Sequence, residues 1–280
     1  MTQLLIVGGL TIDRFADGSV APGGSVLHAG LAARSEGASI TTLTVAGDEP
    51  VAREGLSRLE ELGALARQPV PVTTVYRHEY RDGIRVLILE ALAGPIGVDG
   101  LADLARPDVA LGAPIANEVS PRLVDGLRVR LRPRCVVLLI QGWLRRLVEG
   151  EEVTPLALET LSADQARVIA EADAIVVSTE DLVESPGDPF AQAAQLRRRV
   201  GRQPVVVVTL GTEGYLLDDP ALDRIVASVP RRVVDGVTAN GAGDTFGAGL
   251  ALHLGGGAEP QVAADSATEL VIRVLEARRG

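Results

Sequence analysis

Short apolar runs, glycine turns and amphipathic stretches alternate along the chain. Residues 4–7 are continuously apolar and end in Gly8-Gly9, the pattern of a strand buried on both faces. Residues 40–45, 109–111, 136–140, 175–177 and 205–208 repeat it. Between them apolar residues recur at helical spacing near 26–35, 51–62, 121–126, 162–170 and 190–200, and two more helices, over 242–254 and 259–277, finish the chain. Buried strands alternating with helices predict a doubly wound, mostly parallel α/β sheet flanked by helices. With no internal repeat or low-complexity linker, 1–280 is read as one domain.

Two stretches depart from this rhythm. Residues 11–20 hold short strand-like pieces around an Asp17-Gly18 turn. Over 70–90 the period falls to two: Val75, Arg77, Glu79 and Arg81 oppose Tyr76, His78 and Tyr80, and Asp82-Gly83 offers a hairpin turn. Both read as strands of a small β lid, polar-faced and exposed. Residues 215–217 and 225–229 read as a closing antiparallel pair.

Composition narrows the function classes. Hydrophobic residues make up 46% of the chain, enough for a full core, while aromatics make up only 2%. Few aromatics and a net charge of −10 argue against a nucleic-acid partner. All 27 basic residues are arginine. Without lysine there is no P-loop, no protein-kinase phosphate lysine and no Schiff-base chemistry. The single cysteine, Cys135, sits in an apolar run and reads as a buried hydrophobe. No apolar run approaches the ~20 residues of a membrane span, and the N-terminus lacks a charged leader. No membrane association and a cytoplasmic location are expected.

In a parallel sheet, ligands bind beyond the carboxyl ends of the strands. The glycine turns at 8–9, 23–24, 47–48, 211–214 and 241–243 follow strands or open helices, so they are expected to gather on one edge. Gly241, Ala242 and Gly243 open a helix whose dipole and unpaired amides favour an anion, with Asp244 in the first turn as a base toward a hydroxyl. At a helix N-terminus that Asp is expected to hold a lowered pKa.

At Gly241-Ala-Gly-Asp244 the chain resembles the ribokinase-like (PfkB-type) carbohydrate kinases, whose signature reads Asp-Thr-x-Gly-Ala-Gly-Asp. Other motifs follow in family order. Gly8-Gly-Leu-Thr-Ile-Asp13 resembles the first strand and its acceptor-binding Asp. Gly23-Gly24-Ser25 resembles the Gly-Gly-Asn turn beside the acceptor, and Ala116-Asn-Glu118-Val resembles the segment carrying an acceptor-binding Glu. Thr209-Leu-Gly211-Thr-Glu-Gly214 is similar to the nucleotide loop, in which two glycines and a hydroxyl would wrap phosphate oxygens. Ser178-Thr-Glu-Asp181 stands where the family has Asn-x-x-Glu, which organises water around magnesium.

The resemblance implies an ATP-dependent kinase acting on a small sugar or cyclitol. Asp244 would be the base, with Gly241, Ala242 and Gly243 as the anion hole. Thr209, Gly211, Gly214 and Ser178 would hold ATP, and Asp13, Gly23, Gly24, Ser25 and Glu118 the polyol. Asp181 would reach Mg2+ through water. Thr238 and Ala239 replace the signature's Asp-Thr, in a neighbourhood that helps hold a monovalent cation in the family, so potassium activation is doubtful. Lid strands often pair between subunits there, which implies a homodimer. A nucleoside kinase of the same fold, or a weakly catalytic binding or regulatory protein on this scaffold, are the alternatives. Gln141–Arg146 reads equally as an acceptor wall or a helix start, and the histidines as packing or surface residues.

Overall fold

The computed structural model describes residues 1–82, 84–182, 188–201, 203–222 and 224–279. The N-terminal half runs β1 (Gln3–Gly9), β2 (Thr11–Arg14), β3 (Val20–Gly23), α1 (Ser25–Ser35), β4 (Ser39–Ala46), α2 (Pro50–Leu62), β5 (Gly63–Pro69), β6 (Thr74–Arg81) and β7 (Ile84–Ala91). It continues through β8 (Val109–Ala113), α3 (Pro121–Arg130), β9 (Cys135–Leu139), β10 (Arg145–Arg146), β11 (Thr154–Pro155) and α4 (Ala163–Ala170). The chain closes with β12 (Ala174–Ser178), α5 (Pro189–Val200), β13 (Val205–Thr209), β14 (Tyr215–Asp218), β15 (Ile225–Ser228), α6 (Ala242–Gly255) and α7 (Pro260–Ala277).

The large sheet has the order β15-β14-β13-β12-β9-β8-β1-β4-β5. Its strands are parallel from β13 to β5, and β14 and β15 add an antiparallel edge. Alternate side chains of β1 enter opposite cores. Leu4 and Ile6 pack with α1, α2, α6 and α7, whereas Leu5 and Val7 pack with α3, α4 and α5. Burial on both faces is why these strands are continuous Val, Leu and Ile runs. The helices begin on local signals: Ser120 accepts from the Leu123 amide ahead of Pro121, and Ser162 with Gln165 forms a full capping box.

Residues 63–69, left without an element by periodicity, form β5. Their burial is mostly partial, but Ile40 to Ala46 of β4 pair with Gly63 to Pro69 one for one. Sheet pairing therefore decides this segment, and Pro69 is tolerated at the end of an edge strand.

A second sheet, β3-β2-β6-β7, forms the lid; β2 runs parallel to β6 and the other pairs are antiparallel. Its expected exposure is corrected: Thr11, Ile12, Asp13, Val75, Tyr76 and His78 are buried. One lid face packs toward the strand ends, and Tyr76 and Leu89 cluster with Ala116. Gly150, Glu151 and Val153 hydrogen-bond the outer edge of β7 at Leu87 and Leu89. Gly83 of the expected Asp82-Gly83 turn lies outside the described residues. Among the described residues, no helix is long and apolar enough to cross a membrane.

Candidate active site

The parallel strands all end on one edge of the large sheet, and the lid folds over part of it. β1 runs through Gly9 into β2, which carries Asp13 into a buried position. Thr11 Oγ1 donates to Asp13 Oδ1 at 2.9 Å, and Asn240 Nδ2 donates to Asp13 Oδ2 at 3.4 Å. His78 of β6 brings Nε2 to 3.5 Å from the same oxygen without closing a hydrogen bond. A side chain at Gly23 would overlap the Asp13 carboxylate, so glycine there leaves room for it. Gly24, at φ 96, starts α1 in the left-handed region.

From that start α1 carries Ser25 and His28 toward the opening of α6. Neither Ser25 Oγ nor His28 Nε2 has a hydrogen-bond partner among the described residues. Gly241 caps α6 in the left-handed conformation at φ 75, and the His28 ring occupies the space where a Cβ would stand. The expected three-amide anion hole is narrower than the motif implies, because the Ala242 N–H donates to the Ala239 carbonyl at 3.0 Å. The N–H groups of Gly243 and Asp244 have no protein acceptor among the described residues, so they remain available. Arg278 donates to the carbonyls of Asn240 and Thr238 at 2.7 and 3.2 Å, setting a fixed cation on the loop ahead of the turn.

Asp244 itself is 6% exposed. Gln141 Nε2 lies 3.5 Å from its Oδ1, and the Ser25 hydroxyl stands beside it without a well-formed hydrogen bond. The pKa expectation from the helix dipole is overturned. Burial pushes the Asp244 carboxyl above the ordinary carboxylate range, against the pull of His28, Ser25 and Arg145, and the Asp13 carboxylate adds to the rise. Burial likewise lowers His28, so its ring is neutral near pH 7. A neutral imidazole beside a buried carboxylate is an arrangement for accepting a proton.

Glu118 does not offer its carboxylate to a ligand as expected. Its oxygens accept from the amides of Ile115 at 2.9 Å and Ala116 at 2.7 Å, and it is 2% exposed. It therefore shapes the 115–118 loop. Burial raises its pKa while those amides and that of Gly9 pull the other way. The Ile115 carbonyl in turn accepts from Tyr76 Oη at 3.0 Å and from Arg145 at 3.5 Å. Trp143 is buried with its indole N–H on the Val119 carbonyl, so the acceptor-wall reading fails for it.

Asp181, expected to reach Mg2+ through water, instead faces a protein cation in this structure. Its carboxylate is 6% exposed and pairs with Arg145 Nη2 at 3.3 Å. No group of three or more His, Cys, Asp or Glu able to hold an ion occurs among the described residues.

The 209–214 loop fits phosphate oxygens only in part. Gly214 N–H donates to the Gly211 carbonyl, and a Cβ at Gly214 would overlap the Ser228 carbonyl, so Gly214 shapes the turn and is not a phosphate donor as expected. Thr209 Oγ1 donates to the Val177 carbonyl at 3.4 Å. Ser178 Oγ accepts from the Glu180 amide, which leaves its proton free, and Gly211 and Thr212 are exposed at the tip. Cys135 conforms to its expected inertness, since burial pushes its thiol up to about 12.

Asn240, His28 and His78 join this site although no local motif marks them, and Gln141 and Arg145 enter it from the stretch that reads equally as an acceptor wall or a helix start. Each reaches it through a tertiary contact, which single-sequence spacing does not carry.

The family description "pfkB family carbohydrate kinase" matches residues 149–270. No curated protein matches the chain in sequence. Among solved structures, a pyrophosphate-dependent kinase in the ribokinase family, complexed with a pyrophosphate analog and myo-inositol, superposes with a TM-score of 0.77 at 19% identity, covering 95% of this chain and 92% of that one. A fructokinase from Vibrio cholerae O395 gives 0.73 at 18% identity over 100% of both chains. Ribokinase from Thermotoga maritima gives 0.68 at 17% identity, covering 96% of this chain and 91% of that one. The chain therefore has the fold of these ribokinase-family structures, and its residues 149–270 match the pfkB family carbohydrate kinase description.

Proposed function

We propose that the chain is a phosphotransferase acting on an alcohol group of a small sugar or cyclitol. The observation that carries this is the convergence of Asp13, Asn240 and Asp244 with the open amides of Gly243 and Asp244 under the lid. A buried carboxylate beside an amide donor suits neighbouring hydroxyls of a polyol, and Asp13 lies within the electrostatic field of Asp244. A hydroxyl held between them would give its proton to Asp244 as its oxygen bonds to the terminal phosphorus of the donor. The bridging P–O bond breaks, and the donor remnant leaves as ADP or, from pyrophosphate, as phosphate. The free amides and the α6 dipole meet the charge on the moving phosphoryl group.

ATP is the donor first proposed, with magnesium entering on the nucleotide and not through a set of protein ligands. A second reading, inorganic pyrophosphate, is favoured by the absence of any aromatic residue from 209–214 and 229–241, where an adenine could stack. The similar kinase bound to a pyrophosphate analog and myo-inositol supports that reading. The lid leaves β3 at one end of its sheet, and we propose that a second copy would pair there.

The test supplies ATP or pyrophosphate with magnesium against a panel of sugars, cyclitols and nucleosides, and follows the phosphorylated product. Acceptor-dependent turnover supports the reading. Ligand binding without turnover from either donor sinks it in favour of a binding protein, and a nucleoside as sole acceptor sinks the polyol assignment. Asp13→Ala should raise the acceptor KM about 10- to 100-fold, as expected for losing hydrogen bonds of ~1.5–3 kcal/mol to a charged group, and leave the donor KM largely unchanged. With Arg278 already on the 238–240 carbonyls, potassium and sodium salts of equal ionic strength should support equal turnover; a rate that rises only with potassium contradicts this.

A further inference from the structure

The cleft collects buried carboxylates, those of Asp13, Glu118, Asp181 and Asp244, and a donor phosphate would bring more negative charge. Some cation must offset it, and the chain has no lysine. Arg145 leaves the short turn Gln141–Leu144 that follows β9, at the carboxyl edge of the sheet. Its side chain is 13% exposed, its field reaches Asp244, and Tyr76 lies beside it. A guanidinium has five N–H donors. Among the described residues Arg145 makes two long hydrogen bonds, at 3.3 Å to Asp181 and 3.5 Å to the Ile115 carbonyl, with the Tyr76 hydroxyl as a further polar neighbour. Among the described residues, most of a nearly buried fork is thus left without a close acceptor, next to the candidate base. Planar forks of this kind bind phosphate oxygens two at a time.

We propose that Arg145 hydrogen-bonds the oxygens of the phosphoryl group as it passes to the acceptor hydroxyl, with Asp181 as its counter-ion and not a metal ligand. This rests on the phosphotransferase reading. Asp181 keeps the guanidinium tolerable in an empty, desolvated cleft, and its loose pairing lets the fork turn to phosphate oxygens when the donor arrives. Glu118 belongs to the same device at one remove: it holds the 115–118 loop, whose Ile115 carbonyl steadies Tyr76 and Arg145.

The experiment has a binding arm and a turnover arm. Calorimetric titration of the full chain with pyrophosphate needs no turnover. Wild type should bind it, Arg145→Gln should weaken it at least tenfold, and Arg145→Lys should fall between. Equal affinity in wild type and Arg145→Gln, or no binding to wild type, overturns the proposal. In turnover, Arg145→Gln should lower kcat by roughly 10²-fold, the scale of removing one preorganised charge-stabilising donor, with the acceptor KM little changed and partial recovery on adding guanidinium chloride. Asp181→Asn should leave the magnesium concentration for half-maximal rate within about twofold, whereas a tenfold rise identifies a metal ligand and overturns the counter-ion assignment. Should Arg145→Gln fail to fold by circular dichroism, Arg145→Lys decides the binding arm: affinity equal to wild type would overturn the fork. If wild type moves no phosphate from any donor, the function reading fails while the pyrophosphate titration still judges Arg145.

Discussion

Asp244→Asn should lower kcat by about 10³-fold while leaving the acceptor and donor KM values within a few fold. The amide keeps the size and polarity of the side chain, and the free N–H groups of Gly243 and Asp244 stay in place, so what disappears is the group that takes the hydroxyl proton. The burial of Asp244 supplies a second, independent readout. Its folded pKa is raised above the ordinary 3.8, mainly by desolvation. A carboxyl with a raised folded pKa favours the native state fully while both states are protonated, below the unfolded value. That contribution is lost as pH rises through the folded value. At neutral pH the ionised carboxylate is therefore a burden on the fold, and Asp244→Asn should melt at or above the wild-type temperature, with the gap closing as pH falls toward 3.8. Turnover runs the opposite way, since the base must be ionised. Its acid limb should stand above the range of an exposed aspartate and vanish in the variant. A melting temperature well below wild type at pH 7, or an unchanged rate, would sink the assignment of Asp244 as a buried base.

The fold was largely readable because its strands are buried on both faces and so leave unbroken apolar runs, as in β1, β9, β12 and β13. β5 was not, because Gly63–Pro69 has no period of its own and forms by pairing with the free edge of β4. The lid's two-residue period was visible, but its buried face was not. Which side of β6 meets the strand ends is a tertiary fact, and it hides Tyr76 and His78. The site divides in the same way. The glycine turns and the acids at 13 and 244 show in the sequence because backbone conformation and local position single them out. The Asn240 contact to Asp13 spans 227 residues and leaves no local trace. The resemblance likewise pointed Asp181 toward magnesium through water, and its pairing with Arg145 across 36 residues leaves no local trace. The dipole argument for Asp244 had the right sign for its local cause, yet full desolvation outweighs the positive end of one helix.

Gly241→Ala is the second large effect, and it separates two physical costs at one position. At φ 75 an L-residue bears left-handed strain of roughly 1–3 kcal/mol. The new methyl group also overlaps the His28 ring, an overpacking cost of about 1–3 kcal/mol. Together these should lower the melting temperature by roughly 5–15 °C in a chain of this size. Because Gly241 sets the direction in which α6 begins, the displacement carries the amides of Gly243 and Asp244 with it. A misplacement approaching 1 Å there should reduce kcat by about 10²-fold. His28→Ala empties the space the methyl needs, so the Gly241→Ala/His28→Ala double variant should recover the overlap share of the stability loss and keep the backbone share, a coupling of about 1–3 kcal/mol in the cycle. Asn relaxes left-handed strain but still carries a Cβ, so Gly241→Asn should fare no better than Ala while His28 is present and better than Ala once it is removed. Strictly additive stabilities would mean that His28 does not press on the turn. The ring's position over Gly241 would then have no part in aiming the helix at the reacting phosphate.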